Sequence, residues 1–134
     1  MWLTVFTRLG RTTKLQSVMS VLIVDDHPSF RAIARRLFKA AGFDVVAEAP
    51  DGREAIAAAQ RLKPDLVLLD VQLPDLDGFE VAARLAESGL DSVVVLTSSR
   101  AATDYAPLLT RSPARAFIPK AELSGAALAA LLRG

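Results

Sequence analysis

Leu66-Val67-Leu68-Leu69-Asp70 is a run of four branched apolar residues that ends in a carboxylate. Preceded by the break Lys63-Pro64-Asp65, it reads as a fully buried strand of a parallel sheet. A charge cannot end a buried strand cheaply unless a crevice receives it. In open α/β sheets that crevice lies beyond the carboxyl ends of the strands, where ligands bind. Val21-Leu22-Ile23-Val24 repeats the pattern and ends in a pair of acids, Asp25-Asp26. Two strand ends carrying three carboxylates make a candidate site.

Outward from these two strands the chain alternates strand and helix five times. After Asp26, His27 stands at the N-cap position and Pro28 at the first helical position, where a missing N–H costs nothing. Phe30, Ile33, Leu37, Phe38 and Ala41 recur at helical spacing, with Arg31, Arg35, Arg36 and Lys39 on the other face, and Gly42 stops the helix. Phe43 to Ala47 is the second strand. Asp51 is an N-cap with Glu54 at N3, and its helix ends near Leu62-Lys63-Pro64. The loop Val71-Gln72-Leu73-Pro74-Asp75-Leu76 follows the central strand, then Asp77 with Glu80 caps a helix that runs to Ser88-Gly89. Ser92 to Leu96 is the fourth strand, ending in Thr97-Ser98-Ser99. Thr103 or Asp104 caps a fourth helix, with Pro107 in its first turns and Ser112-Pro113 at its end. Ala116-Phe117-Ile118 is the fifth strand, closed by Pro119-Lys120. Ser124 caps a last helix whose core face is Leu128, Leu131 and Leu132.

Such alternation means a parallel sheet with right-handed crossovers and helices on both faces. The predicted fold is a doubly wound, flavodoxin-like (βα)5 three-layer sandwich with strand order 2-1-3-4-5. That order sets the first and third strands side by side at the switch point, so Asp25, Asp26 and Asp70 meet there.

The chain of 134 residues is long enough for one domain with a proper core. No apolar run approaches the length of a membrane span. Cysteine is absent, which excludes disulfides and thiolate metal sites and makes the cytoplasm the simplest location. Of 16 basic and 15 acidic residues, Arg8, Arg11 and Lys14 fall in the first 17 with no acid, so the remainder is slightly acidic. Nothing in that balance favours nucleic acid. Met1 to Ser17 lacks any sustained period, and its apolar patch (Trp2, Leu3, Val5, Phe6) precedes the basic residues, the wrong order for a secretory signal. The reading is an N-terminal extension over residues 1–19, disordered or of cloning origin, with Met19 as a natural start, followed by the domain over residues 20–134. A membrane- or partner-binding tail is the alternative.

Three carboxylates within a few ångströms cannot all stay ionised unaided. A divalent cation resolves the conflict, and an all-oxygen site that keeps several waters suits Mg²⁺. Asp70, at the strand end, is also placed to act as a nucleophile toward a phosphoryl group. Such a transfer needs positioning and charge neutralisation more than covalent assistance. Lys120 can supply a cation and Thr97 a hydroxyl donor. Each residue has a plainer reading: the acid pair as a helix cap, Asp70 as a turn residue, Thr97 as a strand-ending hydroxyl, Lys120 as a solvated lysine. The site reading gains because all fall at one edge of one sheet. His27 reads as the N-cap and not as a metal ligand.

Val24-Asp25-Asp26-His27-Pro28, Leu69-Asp70 with Leu73-Pro74-Asp75-Leu76-Asp77-Gly78, Leu96-Thr97-Ser98 and Phe117-Ile118-Pro119-Lys120 together resemble the receiver domain of bacterial two-component response regulators. The resemblance implies that Asp70 is the phosphoacceptor for a sensor histidine kinase or phosphotransfer protein. It implies that Asp26, Asp70 and the backbone carbonyl of Gln72 ligate Mg²⁺, with Asp25 acting largely through water. Thr97 and Lys120 would hold the phosphoryl group, and Phe117 would be the aromatic switch residue. Ala121 follows the lysine where the family often has proline, and Ser98 stands where alanine is frequent. The output would be a downstream protein effector, or a second copy of the chain, engaged through the fourth helix, fifth strand and fifth helix, without contact to nucleic acid or membrane from this domain. Rival readings are a phosphorylation-independent adaptor, a receiver fragment of a DNA-binding transcriptional regulator, and an aspartyl-phosphate phosphohydrolase. Such hydrolases typically place a second acid two residues after the nucleophile, where this chain has Gln72. No enzymatic activity beyond self-phosphorylation and self-dephosphorylation is expected.

Overall fold

The computed structural model describes residues 18–133. Residues 1–17 of the predicted extension over residues 1–19, and the side chain of Leu132, lie outside the described part. Five parallel strands form one sheet in the order β2-β1-β3-β4-β5. They are β1 (Ser20–Val24), β2 (Asp44–Ala49), β3 (Leu66–Asp70), β4 (Val93–Ser98) and β5 (Ala116–Pro119). The helices between them are α1 (Pro28–Ala40), α2 (Gly52–Leu62), α3 (Gly78–Glu87), α4 (Ala106–Arg111) and α5 (Gly125–Arg133). The predicted fold class and strand order are those observed. Among the described residues no helix is long and apolar enough to cross a membrane.

The sheet divides the core by strand period. Leu22, Val24, Val67, Leu69, Val94 and Leu96 join Ala55, Ala59, Val81 and Leu85 on the α2 and α3 side. Val21, Ile23, Leu66, Leu68 and Val95 join Ala34, Phe38 and Leu128 on the α1 and α5 side. Successive side chains point to opposite faces, so the second series continues into Asp25, Asp70 and Thr97. β1 and β3 are buried on both faces because helices cover both, which is why their sequences are unbroken apolar runs. Each such side chain contributes about 1.5–3 kcal/mol on leaving water.

Several local expectations need correction. β2 runs on to Ala49 and β4 to Ser98, because both ladders continue to the ends of their central neighbours: Val24 pairs with Ala49, and Asp70 with Thr97. Thr97 and Ser98 are therefore the last two residues of the strand. β5 takes in Pro119, which pairs with Ser98. In α1 the buried residues are Ala34 and Phe38, whereas Ile33 is 46% exposed. Phe30, Ala34, Leu37, Phe38 and Ala41 share the inward face, and Ile33 falls one step off it. Arg31 and Arg35 are half-buried, and both bond Glu48 on β2. Neither Thr103 nor Asp104 caps α4. A 3-10 turn over Ala102–Tyr105 precedes that helix, whose N-cap is Tyr105. The caps at Asp51, Asp77 and Ser124 form as read, each side chain accepting from the amide three residues on.

Gly78 closes the loop after β3: its amide donates to the Val71 carbonyl at 2.7 Å. A Cβ there would sit 2.5 Å from the Asp70 carbonyl oxygen and 2.8 Å from the Val71 Cα, both backbone atoms that cannot turn aside. Gly78→Ala is thus expected to destabilise by about 2–3 kcal/mol, the range of overpacked cores. Urea unfolding measures this, and a loss below 0.5 kcal/mol, the scale of an ordinary surface substitution, would refute the close approach.

Candidate functional site

At the carboxyl ends of β1 and β3 the acids converge. Asp25 is fully buried, Asp70 is 3% exposed, and Asp26 faces solvent. One ligand atom from each of Asp25, Asp26, His27 and Asp70 lies within 4.8 Å of all the others. Lys120, directly after β5, reaches across: its Nζ is 2.6 Å from Asp25 Oδ2 and 3.6 Å from Asp70 Oδ2. Its ammonium also lies 4.4 Å from the centre of the Phe30 ring, a cation–π contact that helps hold the chain inward.

The ammonium approaches Asp25 Oδ2 off the direction of a hydrogen bond, so this buried oxygen has charge compensation but no directed donor. A buried oxygen left in that state, among further carboxylate oxygens, fits a hard cation such as Mg²⁺. The Asp70 carboxyl is pushed up to about 6, first by burial and then by the Asp25 charge, with Lys120 and the Gln72 amide pulling the other way. Gln72 N donates to Asp70 Oδ1 at 3.3 Å, which brings residue 72 to the rim of the pocket.

His27 occupies the N-cap position of α1, but its side chain caps nothing. Its Nδ1 lies 3.1 Å from Oδ1 of both Asp25 and Asp26, and its amide donates to Asp25 Oδ1 at 2.9 Å. Arg31 Nη1 donates to the Asp25 carbonyl at 2.6 Å, and Arg31 Nε and Arg35 Nε donate to Glu48 at 2.9 and 2.6 Å. Burial would raise the Glu48 carboxyl, yet these two arginines hold it below its usual value. The basic face read from α1 thus braces the acid pair.

Thr97 donates through Oγ1 to the Ile118 carbonyl at 2.7 Å, so its hydroxyl is bound to β5. Phe117 lies on the other face of the sheet, against Tyr105, with ring centroids 5.9 Å apart. Tyr105 also tilts against Phe79 at 5.7 Å, and its hydroxyl shares a 2.9 Å hydrogen bond with the buried Ser98 Oγ. Sequence reasoning missed Tyr105, the chain's single tyrosine, because an isolated aromatic between Asp104 and Ala106 carries no periodic signal. Arg31, Glu48 and Asp75 were missed for the same kind of reason: their partners are distant in sequence.

Fold and pocket define a class: a doubly wound α/β domain whose switch-point carboxylates face a lysine from the fifth strand. The sequence profile of the response regulator receiver domain matches residues 21–132. A Pseudomonas aeruginosa protein that bears a transcriptional regulator's name is 43% identical over 102 residues, covering 76% of this chain and 49% of that one. The chemotaxis protein CheY of Listeria monocytogenes is 32% identical over 103 residues, 77% of this chain and 87% of that one. Among solved structures, a two-component response regulator of the LuxR family from Aurantimonas sp. SI85-9A1 superposes with a TM-score of 0.78 at 27% identity, covering 87% of this chain and 84% of that one. This chain belongs to the response regulator receiver domain family of two-component signal transduction. It spans about half the length of the first curated relatives it matches.

The raised Asp70 carboxyl has a sign that can be checked. A carboxyl whose folded value lies above its unfolded 3.8 adds stability below about pH 4, and that stability is lost as pH rises through about 6. Without divalent cation, Asp70→Asn is expected to melt above the parent at pH 7–8, with the gap closing toward pH 4. Calorimetry in a chelator across that range measures it. A pH-independent difference would count against the buried like-charge account.

Proposed function

We propose that this domain accepts a phosphoryl group on Asp70 from the phosphohistidine of a sensor histidine kinase or phosphotransfer protein, in a Mg²⁺-dependent reaction. The observation that carries the reading is the sharing of the Lys120 ammonium by Asp25 Oδ2 and Asp70 Oδ2 at the switch point. An Asp70 oxygen bonds to phosphorus as the donor's P–N bond breaks, and the leaving imidazole takes a proton. Asp26, Asp70 and the Gln72 carbonyl would hold Mg²⁺, with Asp25 acting through water. Held there, the cation would supply charge neutralisation at the phosphoryl oxygens. Lys120 counters the same charge from the opposite side. Thr97 supplies a hydroxyl donor once it leaves the Ile118 carbonyl. Receiver domains are in general not enzymes in their own right, and no turnover of a separate substrate is part of this reading.

Departure of the Thr97 hydroxyl from Ile118 would loosen the β5 backbone beside Phe117, and through it Tyr105 at the start of α4. α4 has just 6 residues and no buried side chain, so it is the helix held least firmly. The surface of α4, β5 and α5 is therefore proposed as the face offered to a downstream protein or a second copy. A second reading, a receiver that controls transcription through a further domain, is favoured by relatives with transcriptional names whose length is about twice the matched span.

Acetyl phosphate or a kinase is expected to label Asp70 alone and only with Mg²⁺. Mass spectrometry of Asp70→Asn should find no label, and Asp26→Ala should lose Mg²⁺ binding while keeping its fold. Unchanged labelling in Asp70→Asn would sink the assignment. With the phosphate mimic beryllofluoride, hydrogen exchange should change most over residues 97–118; a change confined to residues 71–77 would rule out this route to the output face.

A further inference from the structure

Asp75 belongs to the loop between β3 and α3, and its carboxylate is spent on backbone amides. Oδ1 accepts from Gly52 N and from Leu76 N, both at 2.8 Å, and Oδ2 accepts from Arg53 N at 3.0 Å. Gly52 and Arg53 are the first two residues of α2. That helix's own N-cap, Asp51, takes only the amide of Glu54, at 2.9 Å. Amides of a first turn lack intrahelical partners and form the positive end of the helix dipole, so a carboxylate from another element is held well there. Burial opposes the charge, but the amides of Gly52, Arg53 and Leu76 outweigh it and keep the Asp75 carboxyl below its usual range.

Shape agrees with charge. A Cβ on Gly52 would stand 2.9 Å from Leu76 Cβ, 3.0 Å from Val81 Cγ2 and 3.2 Å from Asp75 Oδ1. The start of α2 is cut back to admit this loop. The loop's two ends are fixed separately, by Val71 N donating to the Thr97 carbonyl at 2.9 Å and by Gly78 N donating to Val71 O. Between those ends, Gln72 N bonds Asp70 and Asp77 caps α3; among the described residues, the hydrogen bonds that tie residues 72–77 to an element other than the β3 and α3 they join are those of Asp75.

We infer that Asp75 is a positioning residue that anchors the acceptor loop to the first turn of α2 and so fixes where the Gln72 carbonyl stands relative to Asp26 and Asp70. The inference rests on the acceptor reading of Asp70 given above. Asp75 touches neither the acid pair nor Lys120; it acts through the loop backbone. The α2 terminus becomes part of the support for the pocket, although no α2 side chain reaches it.

The experiment compares Asp75→Ala with Asp51→Ala in the full chain. Both remove an acceptor from the same helix end, so both should lower the melting temperature by a few degrees. Only Asp75→Ala frees the loop. Mg²⁺ titration is expected to weaken about tenfold for Asp75→Ala, as for other groups that support a ligand from behind, and to stay at the parent value for Asp51→Ala. Hydrogen exchange should quicken over residues 71–76 only in Asp75→Ala. Asp75→Asn keeps one acceptor oxygen, should fall between, and is read in place of the alanine variant if that fails to fold. Equal Mg²⁺ affinity in the two alanine variants would overturn the inference and leave Asp75 a plain helix cap. If the parent itself bound no Mg²⁺, the metal-dependent acceptor reading would fall. Loop exchange would then decide alone: selective quickening in Asp75→Ala supports the anchor, and none overturns it.

Discussion

Two buried carboxylates at the ends of adjacent central strands, facing one ammonium from the fifth, are the constraint on which the structure turns. Asp25 and Asp70 cannot both hold a charge in this interior without Lys120, and Lys120 would not be so far buried without them. Removing Lys120 from such a group would cost more than the group contributes to folding, because two bare buried charges are left behind. A charge cluster of that kind is poor material for stability. It is good material for a pocket whose charge balance changes when a phosphoryl group and a cation enter.

Strand alternation separates the acid pocket from the aromatic cluster. Asp25, Asp70 and Thr97 continue the series that faces α1 and α5, while Ser98 and Phe117 belong to the side of α3 and α4. The acids and Thr97 therefore lie on one face of the sheet, and the Phe117–Tyr105 pair on the other. They meet through the Thr97 hydroxyl on the Ile118 carbonyl, and through Ser98, whose hydroxyl bonds Tyr105. Ser98 thereby ties the end of β4 to the residue just before α4.

The support around the pocket is built largely from groups that do no chemistry. Arg31 holds the Asp25 carbonyl and is itself held by Glu48, and Gly78 lets the acceptor loop fold back onto β3. In each case a backbone position is set by a residue that leaves no mark on hydrophobic pattern.

The fold and the members of the site were readable from sequence, because buried strands and amphipathic helices write themselves as local periodicities and the acids end the strands that carry them. Val21–Asp25 and Leu66–Asp70 say where the switch point lies, and the caps at Asp51, Asp77 and Ser124 act within one turn. What tertiary structure alone decided depends on residues far apart in the chain. Asp75 finds α2 across 22 and 23 residues, and Arg31 finds Glu48 across 17. α4 starts at Ala106, after a 3-10 turn, and the Tyr105 ring just before it lies between Phe79 and Phe117, a contact no window of local propensity contains. Local pattern fixes which face a side chain takes; only packing fixes which distant group it meets there.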